Sequence, residues 1–331
     1  MPDDIVDNNI AFVTNGTTGD AAPFIALARQ CVALGAEVRL LTNTDHAALS
    51  RRYNIPFHGI SDPDWPQIGR DADAFFEQVV IPGYRETYAY LAAMVTEGRR
   101  PLIVSRSGHW GAQFTAERLE LPFMRVTLQP CAIRRDGHPV SLREKAALNR
   151  FRLDIGLPPL PFPNLVAEDT RHTISLFPYD FGLPQSAWPE AGKCVGFVYL
   201  DEADFVPDAE LLDFLDRHGP PVVFSLGTGM QDIEPFFTAA CHVCERLAMP
   251  VIFLSPHIAA DKAAIPPMMM VRAGINHHFL LPRAHTLVHN GGIGTVAQAL
   301  RAGVHQIIVP LLFDQPDNAA RTVRFLSGRT R

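Results

Sequence analysis

The stretch His289-Asn-Gly-Gly-Ile-Gly-Thr295 decides how this chain folds. Thr286–His289, just before it, reads as a short strand. Val296–Ala302, just after it, carries helical spacing and is stopped by Gly303, and Ile307–Pro310 reads as the next strand. Strand, glycine-rich loop, helix, glycine stop and strand make a βαβ unit, which implies a parallel sheet. The same order stands upstream, where strand-like Val222–Ser225 and Val251–Leu254 flank a helical pattern over Pro235–Leu247. It stands again near the start, with a strand at Ile10–Thr14, a helix over Ala21–Leu34 stopped by Gly35, and a strand at Val38–Thr42. Leu102–Ser105 and Phe123–Leu128 extend that first set. The expected fold is α/β, with two Rossmann-like domains whose parallel sheets face a cleft, residues 1–195 and 196–331. Between Cys131 and Ala191 prolines and aromatics accumulate and loops are expected, while Asp201–Pro221 reads as a connection.

Composition narrows the function classes. The 331 residues are 47% hydrophobic and 19% charged, as in a globular protein of two domains. With a formal net charge of -6 and no Lys/Arg block, nucleic acid is excluded as a partner. The start, MPDDIVDNN, is acidic and polar, unlike a signal peptide, and no apolar run is long enough to span a bilayer. Five scattered cysteines form no disulfide framework and fit a reducing cytoplasm. The 28 prolines suggest stiffened loops that shape a pocket.

The chemistry concentrates in three loops. A glycine loop between strand and helix offers backbone N–H groups and the positive end of a helix dipole to an anion, and His289 and Thr295 add side-chain donors. Geometry alone also accounts for such glycines, in a tight strand–helix turn. Ser225-Leu-Gly227-Thr228-Gly repeats the arrangement after another strand, and two such loops suit a diphosphate better than one; an N-cap before Pro235 explains only the second. Asp314-Gln315-Pro-Asp-Asn318 follows Ile307–Pro310 on the same sheet edge. A carboxylate beside an amide matches the paired hydroxyls of a sugar, and also suits the first turn of a helix. Cys241-His-Val-Cys244 falls inside a helical pattern with no second CxxC, and reads as helix packing. His285 and His289 read as loop and strand, a poor geometry for a zinc pair, and Met268–Met270 reads as packing.

The run HNGGIGTVAQALRAGVHQIIVPLLFDQPDNAAR (289–321) resembles the donor-binding signature of GT-B glycosyltransferases of the UDP-glycosyltransferase superfamily, of the bacterial antibiotic-, macrolide- and rhamnolipid-type. The likeness extends to SLGT at 225–228 and to GTTGDAAPFIALARQCVALGAEVRLLT at 16–42. It implies that Ser225, Gly227, Thr228, His289, Gly291, Gly292, Gly294 and Thr295 hold the diphosphate of a UDP- or dTDP-sugar, and that Asp314 and Gln315 contact its sugar. It further implies an acceptor-side loop of Asn15, Gly16, Thr17, Thr18 and Gly19. Asp20, where many members have a histidine, becomes the candidate base, a residue equally suited to cap a helix starting at Ala21. The implied reaction is inverting, metal-independent transfer of a hexose or deoxyhexose to a hydroxyl of a hydrophobic acceptor, with no cofactor beyond the nucleotide-sugar. Trp65, Phe75, Phe76 and Tyr84–Tyr90 are candidates to line the acceptor pocket, or core.

Against that pattern the chain departs twice. Ala273–Phe279, where members cradle the nucleobase, is short and lacks a stacking aromatic in register; His277 or His278 is the substitute on offer. The chain also stops soon after Asn318, so an incomplete C-terminal domain is expected. Its apolar surface would be covered by a homo-oligomer or an auxiliary partner. The alternative function is a non-catalytic sugar-nucleotide-binding protein that partners a full-length transferase.

Overall fold

The computed structural model describes residues 8–61, 72–133, 138–160, 165–166, 172–183, 193–201, 205–227, 233–257 and 265–329. The chain divides into two compact units, Met1–Leu200 and Asp201–Arg331.

The main sheet of the first unit is built from β1 (Asn9–Val13), β2 (Glu37–Thr42), β3 (Phe57–Gly59), β4 (Leu102–Arg106), β5 (Phe123–Thr127), β6 (Thr173–Ser175) and β7 (Lys193–Cys194). They form one seven-stranded sheet in the order β3-β2-β1-β4-β5-β6-β7. Every pairing in it is parallel. Helices α1 (Thr18–Ala33), α2 (Ala47–Arg52), α3 (Ile81–Thr96) and α4 (Trp110–Leu119) make the crossovers. The strands are apolar because both faces are covered: Ala11, Leu40, Leu41 and Ile103 are wholly buried.

Helix α1 begins three residues before the sequence suggests. Thr17 is the N-cap and Asp20 lies inside the first turn, its Oδ2 accepting from Thr17 N at 2.9 Å. The expectation that Asp20 is itself the cap is thereby corrected.

The region expected to be loops holds a 13-residue helix, α5 (Leu142–Asp154). Ser141 Oγ accepts from Glu144 N at 3.1 Å, and Glu144 Oε2 accepts from Ser141 N at 2.7 Å. Helix α5 delivers Leu148 and Phe151 to a core with Phe76, Tyr84, Trp110 and Phe114. Phe76 and Tyr84 are therefore core residues, the second of the two readings open to them. Trp65 lies outside the described residues.

The second unit opens with α6 (Ala209–His218), N-capped by Asp208 Oδ1, which accepts from Leu211 N at 2.8 Å. This helix stands where a plain connection was expected. Strands β8 (Val222–Ser225), β9 (Val251–Leu254), β10 (Met269–Arg272), β11 (Thr286–His289) and β12 (His305–Ile308) form a five-stranded parallel sheet, order β10-β9-β8-β11-β12. Helices α7 (Glu234–Leu247), α8 (His277–Leu280), α9 (Ile293–Ala302) and α10 (Gln315–Arg329) complete it. Strand β12 sits two residues earlier than Ile307–Pro310. The Met-rich run became an edge strand. Cys241 and Cys244 lie within α7 as free thiols. Around β12 and α10, Ile307, Leu312, Phe313, Val323 and Leu326 are exposed.

Helix α7 ends at exposed Ala248 with φ 51°. A left-handed C-terminal residue favours glycine, because a Cβ crowds the carbonyl there. Ala248→Gly is expected to raise unfolding stability by about 0.5–1 kcal/mol in urea titration. A decrease would show that this turn is not left-handed.

Candidate functional site

In the second unit the strand order reverses between β8 and β11, the point in an open α/β sheet where ligands bind beyond the carboxyl ends of the strands. The register sets Ser225 opposite His289, so the loops after β8 and β11 leave the sheet side by side. Helix α9 begins at the second loop, with Gly292 as N-cap and no side-chain hydrogen bond to its end. The backbone N–H groups of Ile293, Gly294 and Thr295, in the first turn, have no intrahelical carbonyl to meet.

The glycines differ in what they do. Gly291 is required by the fold: its φ is +87°, and a Cβ would lie 2.9 Å from Ile308 Cγ2 and 3.2 Å from the Gln315 carbonyl. At Gly294 a Cβ would meet nothing within 4 Å. Packing does not explain that glycine; open space over a helix N-terminus does.

His289 is engaged at both ring nitrogens. Its side chain is fully buried, its Nδ1 accepts from Gly291 N at 3.2 Å, and its Nε2 lies 3.1 Å from Gln306 Oε1. An Nδ1 that accepts leaves the proton on Nε2, which donates to Gln306. The ring therefore fixes the loop from beneath, with both nitrogens engaged by neighbouring groups. Burial lowers its pKa to about 4, against the opposing effect of the Gln306 hydrogen bond and with a smaller lowering from His277.

His277, at the start of α8, lies with Nε2 3.3 Å from Ser225 Oγ, and burial lowers its pKa too. From Ala273–Phe279, this side chain reaches the loop cluster. Thr228 lies outside the described residues. Thr295 is half-buried.

The acidic segment supports the same loop. Gln315 Oε1 accepts from Leu311 N and Leu312 N, both at 2.9 Å. Asn318 Nδ2 donates to the Gly291 carbonyl at 3.0 Å and to Asp314 Oδ2 at 2.6 Å. The turn before α10 is thus tied to the glycine loop. Gln306, Asn318 and His277 carry supporting roles that the sequence reading did not assign; a glutamine facing inward beside an apolar run was the available signal for the first.

The first unit has a second constellation at its own reversal point, between β1 and β4. Gly16, φ +123°, faces Asp20 so closely that a Cβ would lie 2.3 Å from Oδ2. Its carbonyl accepts from Asn43 Nδ2 at 3.3 Å and His46 Nε2 at 3.0 Å. Asp20 Oδ2 also accepts from Thr17 Oγ1 at 3.2 Å. Arg106, at the end of β4, donates through Nη1 to Asp20 Oδ1 at 3.4 Å and through Nη2 to Asn15 Oδ1 at 2.9 Å. Thr18 and Gly19 are the first residues of α1. His109 is buried, its Nδ1 accepting from Ala112 N at 3.1 Å; burial and the Arg106 charge lower its pKa to about 3.

With this geometry in view, comparison with known proteins is informative. Residues 247–330 match the family described as Erythromycin biosynthesis protein CIII-like, C-terminal domain. Over 187 residues the chain is 30% identical to O-mycaminosyltylonolide 6-deoxyallosyltransferase of Streptomyces fradiae, covering 54% of this chain and 43% of that protein. It is 25% identical over 372 residues to vancomycin aglycone glucosyltransferase of Amycolatopsis orientalis, covering 96% and 84%. The match thus spans less than half the length of the first relative and most of the second. Spinosyn rhamnosyltransferase SpnG complexed with thymidine diphosphate shares the fold, with TM-score 0.66, 19% identity and coverage of 94% of this chain and 83% of that one. Two parallel-sheet α/β units of this kind are the GT-B fold. In sequence the second unit is thus similar to that family, and over most of its length the chain resembles glycosyltransferases that act on antibiotics. Among the described residues no helix is long and apolar enough to cross a membrane.

Buried neutral histidines make stability depend on pH. The folded chain takes up a proton at His289 only near pH 4, whereas the unfolded chain does so near the ordinary 6.5. The contribution is whole above about pH 6.5 and is lost as pH falls toward 4, amounting to about 3 kcal/mol in all. Denaturant titrations from pH 7.5 to 4 are expected to show this acid loss, and His289→Asn to make it shallower. Unchanged steepness in the variant would remove His289 from the account.

Proposed function

We propose that the chain is a glycosyltransferase that binds a UDP- or dTDP-sugar in its second unit and moves the hexose or deoxyhexose, with inversion, to a hydroxyl of a hydrophobic small molecule. The observation that carries this reading is the pair of glycine-containing loops at the reversal of the five-stranded sheet, with an uncapped helix start and open space over Gly294. Relatives that are glucosyl- and deoxyallosyltransferases, and a structural neighbour complexed with thymidine diphosphate, support the same substrate class.

In this reading the first-turn N–H groups of α9 and the Thr295 hydroxyl bind the diphosphate, with Ser225, Gly227 and Thr228 on the neighbouring loop. Gly291 and Gly292 let the backbone approach, and neutral His289 holds the loop in shape. Asp314, and Gln315 through its amide nitrogen, meet the sugar hydroxyls. Asp20 takes the proton from the acceptor hydroxyl as its oxygen forms the bond to the anomeric carbon. The bond from that carbon to the diphosphate breaks on the opposite face, and its electron pair leaves with the nucleotide. Backbone dipoles and hydroxyl donors stabilise that leaving charge without a metal ion.

Gly294→Val fills the open space and leaves the core untouched. The variant is expected to keep its unfolding stability within about 0.5–1 kcal/mol. Its affinity for UDP and dTDP should fall at least about tenfold by calorimetry, since phosphate can no longer approach the helix N-terminus. Undiminished nucleotide binding would place the donor elsewhere. Removal of divalent cations with a chelator is expected to leave nucleotide release from UDP-glucose and dTDP-rhamnose unchanged.

A further inference from the structure

Asp20 carries two carboxylate oxygens in different surroundings. Oδ2 is committed twice, to Thr17 N at 2.9 Å and Thr17 Oγ1 at 3.2 Å, and lies against Gly16. Among the described residues, Oδ1 is met by Arg106 Nη1 at 3.4 Å. Arg106 is itself anchored, because its Nη2 donates to Asn15 Oδ1 at 2.9 Å. Its side chain and that of Asp20 are each 24% exposed, so the pair sits at the surface of the loop cluster.

The pairing follows from topology. Strands β1 and β4 are neighbours, with Val13 beside Ser105, so the loop after β1 and the last residue of β4 emerge together although Asp20 and Arg106 are 86 positions apart. A carboxylate held only by its cap can rotate about its Cα–Cβ bond once the acceptor disturbs it. Thr17 holds one oxygen from the helix side, and Arg106 meets the other from the neighbouring strand.

We propose that Arg106 is a positioning residue for the transfer reaction: it fixes the Asp20 carboxylate so that Oδ1 keeps a lone pair directed at the acceptor hydroxyl. The proposal rests on the reading of Asp20 as the base. At 3.4 Å the Arg106 contact is long for a charge-assisted hydrogen bond, so it orients Oδ1 without saturating it. Loss of the guanidinium leaves the base present and misplaced, which affects the chemical step and not donor binding.

Acceptors of different acidity separate positioning from mere support. Phenol needs its proton removed in the transition state, whereas 4-nitrophenol is largely ionised at mildly alkaline pH and needs little help. Initial rates with dTDP-rhamnose or UDP-glucose as donor are measured for wild type, Asp20→Asn, Arg106→Met and Arg106→Lys, all shown folded by thermal unfolding. Asp20→Asn is expected to cut kcat on phenol by about 100-fold and much less on 4-nitrophenol. Arg106→Met should cut kcat on phenol at least about tenfold, change it less than about threefold on 4-nitrophenol and leave the donor KM unchanged; Arg106→Lys should recover part of the loss. If Asp20→Asn loses phenol transfer while Arg106→Met keeps it, the positioning role fails and the base stands. Equal losses of Arg106→Met on both acceptors also overturn it, because that is what a structural strut would give. Full activity of Asp20→Asn on phenol, or no transfer by wild type from either donor to either acceptor, overturns both readings together.

Discussion

The second unit depends on the parallel pairing of β8 with β11. Because the strands run the same way, Ser225 and His289 end at one edge, and the chain must leave both strands there through loops with unpaired backbone donors. A flexible loop would spend those donors on water. Here the imidazole of His289 fixes the loop: its Nδ1 receives the Gly291 N–H while its Nε2–H is held by Gln306. Only a neutral ring in one tautomer can do this, and burial keeps it neutral. A site whose donors are set before the ligand arrives loses little reorganisation energy on binding or in the transition state.

The two units use the same architecture and finish their first helix at the reversal point in opposite ways. Helix α1 is closed by its own chain, with Asp20 in the first turn accepting from Thr17. A carboxylate there already answers the helix dipole and repels a second anion. Helix α9 has Thr295 where α1 has Asp20, and no side chain caps it. On electrostatic grounds the proposed phosphate contact therefore fits α9 better than α1. A carboxylate with one lightly engaged oxygen is suited to proton transfer instead.

Legibility followed the physics of burial. Val222–Ser225, Val251–Leu254 and Thr286–His289 were readable to the residue because each is buried throughout and is built around large apolar residues. Strand β12 is an edge with exposed and half-buried residues alternating, and the apolar run Ile307–Pro310 continues beyond the paired segment, which displaced its expected position. Helix α5 was hidden by the prolines around it, although Ser141 and Glu144 spell a capping box. In the sites, glycines and hydroxyls were legible because loop chemistry is local. The partners of those residues were not. Arg106 meets Asp20, and Gln306 meets His289, only because the strand order brings their strands together, and one sequence does not print strand order.

The turn before α10 shows how these local and distant constraints are joined. Phe313 is 80% exposed with φ 56°, a left-handed backbone that costs a side chain of its size about 1–2 kcal/mol and gains nothing from packing. Gln315 holds the two preceding N–H groups, which forces the reversal at Phe313 and brings Asp314 against Asn318. Asn318 in turn grips the Gly291 carbonyl, at the glycine whose missing Cβ admits the Gln315 backbone. Relaxing Phe313 would loosen the start of α10 and, through Asn318, the glycine loop itself. The strain is kept because the turn and the loop are one hydrogen-bonded unit, and the unit holds its shape only with the reversal in place.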